Sequence, residues 1–160
     1  SQTASARVSN SVSSSPVVHL TFSASSFSEI PTGSAITGVC VWVNDVSKSI
    51  IDPLNTQRWN VSLSNDGGSV FSPENSLMPS ILTAILGTAS NFSGENHYFT
   101  SDTAPPGASC GAPTLWGKTW SAGDFKNGML AVKMRASNTN PALNIIRFDV
   151  VKVKVYFMAP

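Results

Sequence analysis

Charge is scarce in this chain of 160 residues: Asp, Glu, Lys and Arg together supply 12% of it. That does not suit a nucleic-acid binder, which would be far more basic and would interleave aromatics with its charges. Histidine occurs only at His19 and His97, and cysteine only at Cys40 and Cys110. Two thiols so far apart cannot complete a structural zinc site; they permit one disulfide or a pair of buried thiols, and the sequence leaves that choice open. The acids are scattered singly, with no Asp-x-Asp-x-Asp spacing to collect calcium, so no metal and no cofactor are expected. No apolar run approaches the roughly 20 residues that cross a bilayer, and the N-terminus lacks a basic-then-apolar signal, so membrane insertion is not expected. Leu, Glu and Lys are too sparse for a helical protein. Ser, Thr, Asn and Gly are plentiful, which is the composition of strands and turns, and the length suits one domain with a real core.

The clearest period-2 pattern closes the chain. In Phe148–Phe157, Val151, Val153, Val155 and Phe157 fall on one side and Lys152, Lys154 and Tyr156 on the other, as in a strand with one buried and one wet face. Met129–Ala136 repeats it, with Leu130, Val132 and Met134 inward and Lys133 and Arg135 outward. Val17–Ser23 sets Val18, Leu20 and Phe22 opposite His19 and Thr21. Ala35–Asn44 sets Val39, Val41 and Val43 opposite Cys40 and Trp42; both of its faces are apolar, which predicts a central strand. Arg58–Ser64 puts Trp59, Val61 and Leu63 inward, and Asn65-Asp-Gly-Gly68 supplies residues that tolerate positive φ, so a return strand is predicted from Val70-Phe71, shortened by Pro73. The run Ile81–Leu86 fits a short helix or a strand equally, His97–Asp102 reads as a strand, and Thr103–Pro113 as a Pro/Gly-rich loop of the kind that carries binding groups. Val150 and Val151 break strict alternation and predict a bulge near Asp149.

Residues 1–16 are polar and low in complexity. They are expected either to fray or to form an assembly arm that lays Val8 and Val12 against a neighbouring subunit, adding a strand to an exposed sheet edge. Residues 17–160 are then a single β-sandwich domain. The charges are also unevenly placed: residues 118–160 hold seven of the ten Lys and Arg, and the rest of the chain carries three basic residues against seven acidic ones. Lys133, Arg135, Lys152 and Lys154 would face one another if their strands were neighbours, which like charges disfavour. The expectation is that the strands are not cross-strand partners, or that something acidic, such as another subunit, covers that face.

The segments Leu115-Trp-Gly-Lys-Thr-Trp120, Ser121-Ala-Gly-Asp-Phe125, Met129–Ala136, Asn138-Thr-Asn140 and Phe148–Tyr156 together resemble uncharacterised β-sandwich modules of bacterial exported proteins and of phage virion or tail proteins. Their layout is a Trp-Gly-x-x-Trp turn, an Asp-Phe pair, an inner strand and a final Asp-x-Val-x-Val-x-Val-Tyr strand. Ile30–Val39 is similar to the start of a second strand in such a module. The resemblance covers little more than a third of the chain and implies a fold rather than an activity, because the sandwich hosts lectin-like, adhesive and structural roles.

Catalytic groupings are thin. Gly107-Ala-Ser-Cys-Gly111 matches Gly-x-Ser-x-Gly with Ser109 as nucleophile, yet that motif needs a strand-to-helix turn and here sits in a Pro-rich loop. Neither His19 nor His97 is paired with it by anything in the sequence. Asp66 and Asp124 read as turn-forming residues. Trp59 reads as core, whereas Trp116 and Trp120, astride a Gly turn, are the candidates for stacking on a sugar. The expectation is an all-β protein, an antiparallel β-sandwich of jelly-roll type, acting without catalysis as a structural or adhesion subunit of a virion or bacterial surface appendage. It would be extracellular or in a virion, would form homo-oligomers and could hold a host glycan, with no nucleic acid as partner. The alternative is a carbohydrate-binding module of a larger exported protein.

Overall fold

The computed structural model describes residues 2–9, 17–44, 58–77, 96–99, 114–137 and 150–160. They are mostly strand: β1 (Gln2–Ser9), β2 (Val17–Thr21), β3 (Ala35–Asn44), β4 (Arg58–Ser64), β5 (Asn75–Leu77), β6 (Asn96–Phe99), β7 (Ala131–Ser137) and β8 (Val150–Met158). Helix among the described residues is limited to a 3-10 turn, Ala24–Phe27, and the short α1, Ala122–Lys126. The strands form two antiparallel four-stranded sheets, ordered β1-β8-β3-β6 and β2-β7-β4-β5. The described residues are thus all-β with little helix, as the composition predicts.

The pairing follows one scheme. β1 pairs with β8, β2 with β7, β3 with β6 and β4 with β5, so the chain is paired as one long nested hairpin whose tip is β4–β5. Two further pairings, β3 with β8 and β4 with β7, join the outer pairs to the inner ones and divide the hairpin between the two sheets. β7 and β8 therefore belong to different sheets, and their basic residues never oppose one another.

One cluster of buried side chains draws on both sheets. Val39, Val41, Val151, Val153, Val155 and Phe157 come from the first; Val18, Leu20, Val61, Leu63, Val132 and Met134 come from the second. The expected inward faces of β2, β7 and β8 are the buried ones, and β3 lies inside its sheet between β8 and β6, as its two apolar faces predict. An aromatic wedge extends the cluster: Phe27 packs edge-on against Phe125 at 5.4 Å, and Phe125 stacks on Trp120 at 5.1 Å.

Several local expectations are corrected. Among the described residues a break in register lies on β3, where Ile36 pairs with Phe157 and Gly38 with Tyr156, leaving Thr37 as an extra residue. An extra residue switches the parity of the strand, which is how Ile36 and Val39 both reach the core. Opposite Val150 and Val151 the ladder is unbroken, with Asn44 and Val43 as partners, because a β-branched residue fits either face of a sheet. The return strand starts at Asn75, not Val70. Gly67 and Gly68 do adopt positive φ, 76° and 96°, but Ser72 then hooks onto β4, its N–H donating to the Leu63 carbonyl and its Oγ accepting from the Leu63 N–H. Pro73 has no N–H, so the ladder resumes only beyond it. Asp124 is a helix residue: Ser121 caps α1, and the two form a reciprocal capping box.

The N-terminal arm contributes a strand to its own chain. β1 lies along β8 with Ala4 opposite Val155, Ala6 opposite Val153 and Val8 opposite Val151. Val12 lies outside the described residues, as do the run Ile81–Leu86, Asp149, Ser109 and Cys110. Cys40 is fully buried and disulfide-bonded, and Cys110 is the one other cysteine in the sequence. A bridge between them closes a loop of about 70 residues, for which loss of unfolded-state entropy gives about 4 kcal/mol. Reduction with dithiothreitol is accordingly expected to lower the denaturant midpoint strongly, and Cys40→Ser to do the same without reductant. Equal midpoints for oxidised and reduced protein would show that the bridge does not constrain the fold.

Candidate functional site

The residues singled out for function lie in three places, and the Trp-Gly-x-x-Trp turn is the first. β6 pairs with β3 only over Val41–Asn44, so the earlier part of that edge needs other partners. Segment 114–121 supplies them through isolated bridges from Thr114 to Val39 and from Ser121 to Ala35. The Val39 N–H donates to the Thr114 carbonyl at 2.9 Å, and the Trp116 indole N–H donates to the Val39 carbonyl at 2.9 Å. To bring the ring there the backbone turns through two successive left-handed residues, Trp116 (φ 58°) and Gly117 (φ 66°). Glycine adopts that conformation freely, whereas tryptophan does so at a cost of about 1 kcal/mol, which burial of the indole offsets. Trp120 donates to the Leu115 carbonyl at 2.8 Å while stacking on Phe125.

Trp116 is 3% exposed and Trp120 7%. A sugar-stacking platform needs a ring face open to solvent, and neither indole offers one, so the expected ligand contact at these two residues is revised to a packing role. The loop before β5 is tied to the same turn: Asn65 Nδ2 donates to the Thr119 carbonyl at 2.8 Å, and Lys118 Nζ donates to Asn65 Oδ1 at 3.1 Å. Asp66 organises that loop as a turn residue. Its carboxylate accepts from the Ser64 hydroxyl and from the N–H groups of Ser69 and Val70. These bonds, the Ser64 hydroxyl foremost and Val70 next, hold its pKa below the ordinary 3.8.

The second place is the outer face of the β2-β7-β4-β5 sheet, where Lys133 and Arg135 project. Here the chain supplies its own acid. Glu74 takes Arg135 in a two-pronged contact, Nε to Oε1 at 2.8 Å and Nη2 to Oε2 at 2.6 Å. Phe71 lies under Lys133, whose Nζ is 4.6 Å from the ring centroid, and meets His19 edge-on at 5.4 Å. Asn60, 3% exposed, donates to the Arg135 carbonyl and the Ser137 hydroxyl and accepts from Ser76. The expected covering of Lys133 and Arg135 by another subunit's acids thus has an alternative inside the chain. Segment 71–74 performs it, which its sequence, with one acid and one aromatic around Pro73, did not advertise.

The third place is the β1-β8-β3-β6 sheet, with Lys152 and Lys154 half-buried on β8 and Lys154 Nζ 5.2 Å from the Tyr156 ring centroid. Register sets Arg7 of β1 across from Lys152. Among the described residues no group of three or more His, Cys, Asp or Glu is placed to hold a metal ion, and no helix is long and apolar enough to cross a membrane. Neither a protein-family model, nor a curated protein, nor a solved structure matches this chain.

Trp116→Phe keeps an apolar ring but deletes the donor to the Val39 carbonyl, so a loss of roughly 2 kcal/mol in urea unfolding is expected; a change under about 0.5 kcal/mol would mean a surface residue instead. Glu74 gives the protein a pH dependence. The Arg135 guanidinium holds its carboxyl below the ordinary 4.5, so the pair's contribution is complete above that pH and is lost as pH falls through the lower folded-state value. The pair is partly exposed, 38% for the Arg135 side chain and 29% for Glu74, which limits the contribution to about 1 kcal/mol. Glu74→Gln should lower stability at neutral pH by up to about that much and flatten the stability profile below pH 4.5. Parallel profiles for variant and parent would remove the assignment.

Proposed function

We propose that this chain is a jelly-roll β-sandwich serving as a non-enzymatic structural or adhesion subunit of a virion or a bacterial surface appendage, that it self-associates, and that it holds a host glycan. The observation that carries the reading is the pairing scheme. Antiparallel partners β1·β8, β2·β7, β3·β6 and β4·β5, rolled so that β8 meets β3 and β7 meets β4, give the two four-stranded sheets of that architecture. Viral capsid and lectin domains use it repeatedly. The step from architecture to role is one of analogy, and two further observations favour it. A disulfide at Cys40 suits an oxidising, extracellular setting. The N-terminal strand lies at a sheet edge, joined by residues 10–16 to the rest of the chain, so the same ladder to β8 can form within one copy or between two.

Self-association then proceeds by exchange of β1, with Val8 passing from its own chain's Val151 to that of a neighbour, and with Lys152 and Lys154 beside the exchanged strand. The competing reading, a carbohydrate-binding module, rested on Trp116 and Trp120; with both rings packed in the core, a glycan contact on this chain uses other side chains.

Light scattering over a range of concentrations tests the assembly. The intact chain is expected to give particles larger than one chain, and removal of residues 1–16 to reduce or abolish them. Monomers at every concentration, with and without those residues, would sink the proposal.

A further inference from the structure

Val39 and Val41 of β3 belong to the core, so alternation along the strand turns Cys40, between them, to the outer face of the β1-β8-β3-β6 sheet. Cys40 is nevertheless 0% exposed, although it is not a member of the core cluster between the sheets. The same face carries Lys152, Lys154 and Tyr156 of β8, all half-buried, with Lys154 directly across from Cys40. The bond that Cys40 makes says what lies there. Its sulfur is in a disulfide, and Cys110 is the one other cysteine in the sequence. A disulfide holds its two Cβ atoms about 4 Å apart, so the partner residue sits on the side to which the Cys40 side chain points, the outer face.

The ends of the segment that carries Cys110 agree with this. β6 ends at Phe99, which pairs with Val41, and Thr114 accepts from the Val39 N–H at 2.9 Å. Segment 100–113 therefore departs from and returns to one edge of β3, at the two neighbours of Cys40. From Cys110 to Thr114 an extended chain reaches roughly 13 Å, ample to carry it from that edge to a sulfur one residue along. Composition suits a segment laid on a basic face. Residues 100–113 include Asp102 and neither Lys nor Arg, and the remainder are Gly, Ala, Ser, Thr, Pro and Cys. Side chains that small let a backbone lie close to a sheet, and a single negative charge meets Lys152 and Lys154 without repulsion.

We propose that the outer face of the β1-β8-β3-β6 sheet around Cys40 and Lys154 is a docking surface occupied by the chain's own segment 100–113, pinned by the Cys40–Cys110 bridge. The face is then taken, and a second copy is left the β1 edge of the same sheet. The inference rests on the bridge and the register and holds whether or not the chain assembles.

A benzophenone side chain introduced at Ala108, close to Cys110, tests it in the full, oxidised chain. Irradiation is expected to join position 108 to β3 or β8 of the same chain, mapped by mass spectrometry. Crosslinks confined to the other sheet, crosslinks only between chains, or none would overturn the proposal. Acetylation rates of individual lysines give a second reading. In Cys110→Ser, Lys154 is expected to react several-fold faster than in the parent while Lys126, on α1, keeps its rate; both rates unchanged would overturn the proposal. Where loss of the bridge unfolds the chain, Lys126 accelerates too, and the crosslink in the oxidised chain decides. A non-reducing peptide map that joins Cys40 to the Cys110 of another chain would give the face to a second copy instead.

Discussion

A buried strand edge must find partners for its amide groups, and in this protein that constraint falls on the first half of β3. β8 serves one edge of the strand along its length, but β6 reaches only Val41–Asn44 on the other. What remains is closed by a loop. Thr114 takes the Val39 N–H and the Trp116 indole takes the Val39 carbonyl, so one residue's two main-chain groups are satisfied by a backbone atom and a side chain from the same turn. Much else follows from this closure. It forces the left-handed Trp116-Gly117 pair, places Trp120 on Phe125, and thereby seats α1 against the 3-10 turn at Phe27.

The same closure explains why the tryptophans were hard to read. In sequence, Trp-Gly-x-x-Trp with flanking loops has the look of an exposed aromatic turn, and burial of a loop aromatic depends on a strand edge some 75 residues away that no local pattern reveals. Strands with bulky residues were legible because alternation is a local property: β2, β4, β7 and β8 declare a buried face through Val, Leu, Met and Phe at every second position. β1 alternates as well, with Ala4, Ala6 and Val8 in register with β8's buried valines. Alanine buries too little area to stand out from a Ser-rich background, so the strand looked like a tail. The parity switch at Thr37 was invisible for a different reason: Ile36 and Val39 are both apolar, and only their partners on β8 tell which faces they occupy.

Sparse charge is spent locally. Arg135 is held by Glu74, Lys133 lies over Phe71, and Lys118 reaches Asn65, so the basic excess of the last third is partly engaged by residues from the loop before β5. That loop is itself organised by a single carboxylate, Asp66, whose three donors come from within four residues. The polar side of β4 shows the cost and use of this cover: Asn60, Ser62 and Ser64 are all buried, though they alternate with the core residues Val61 and Leu63. Asn60 and Ser64 are bonded, while the Ser62 hydroxyl has no partner. Alternation correctly named the polar face of β4 but could not say that part of the chain would fold over it.

These facts bear on where association would act. A face already occupied by its own chain's Phe71 and Glu74 has little left to offer an acidic partner, which moves the proposal away from Lys133 and Arg135 and toward the sheet edge. β1 is held there by its ladder to β8, in which register sets Arg7 across from Lys152. Hydrogen bonds of that kind are indifferent to which copy provides the partner strand, because β8 presents the same donors and acceptors in every molecule. The proposed exchange would conserve the ladder and would be favoured by whatever lowers the entropy of joining two copies, such as high local concentration. The small residues and polar alternation that made the arm unpromising as a strand do not prevent it from pairing along its whole length with β8.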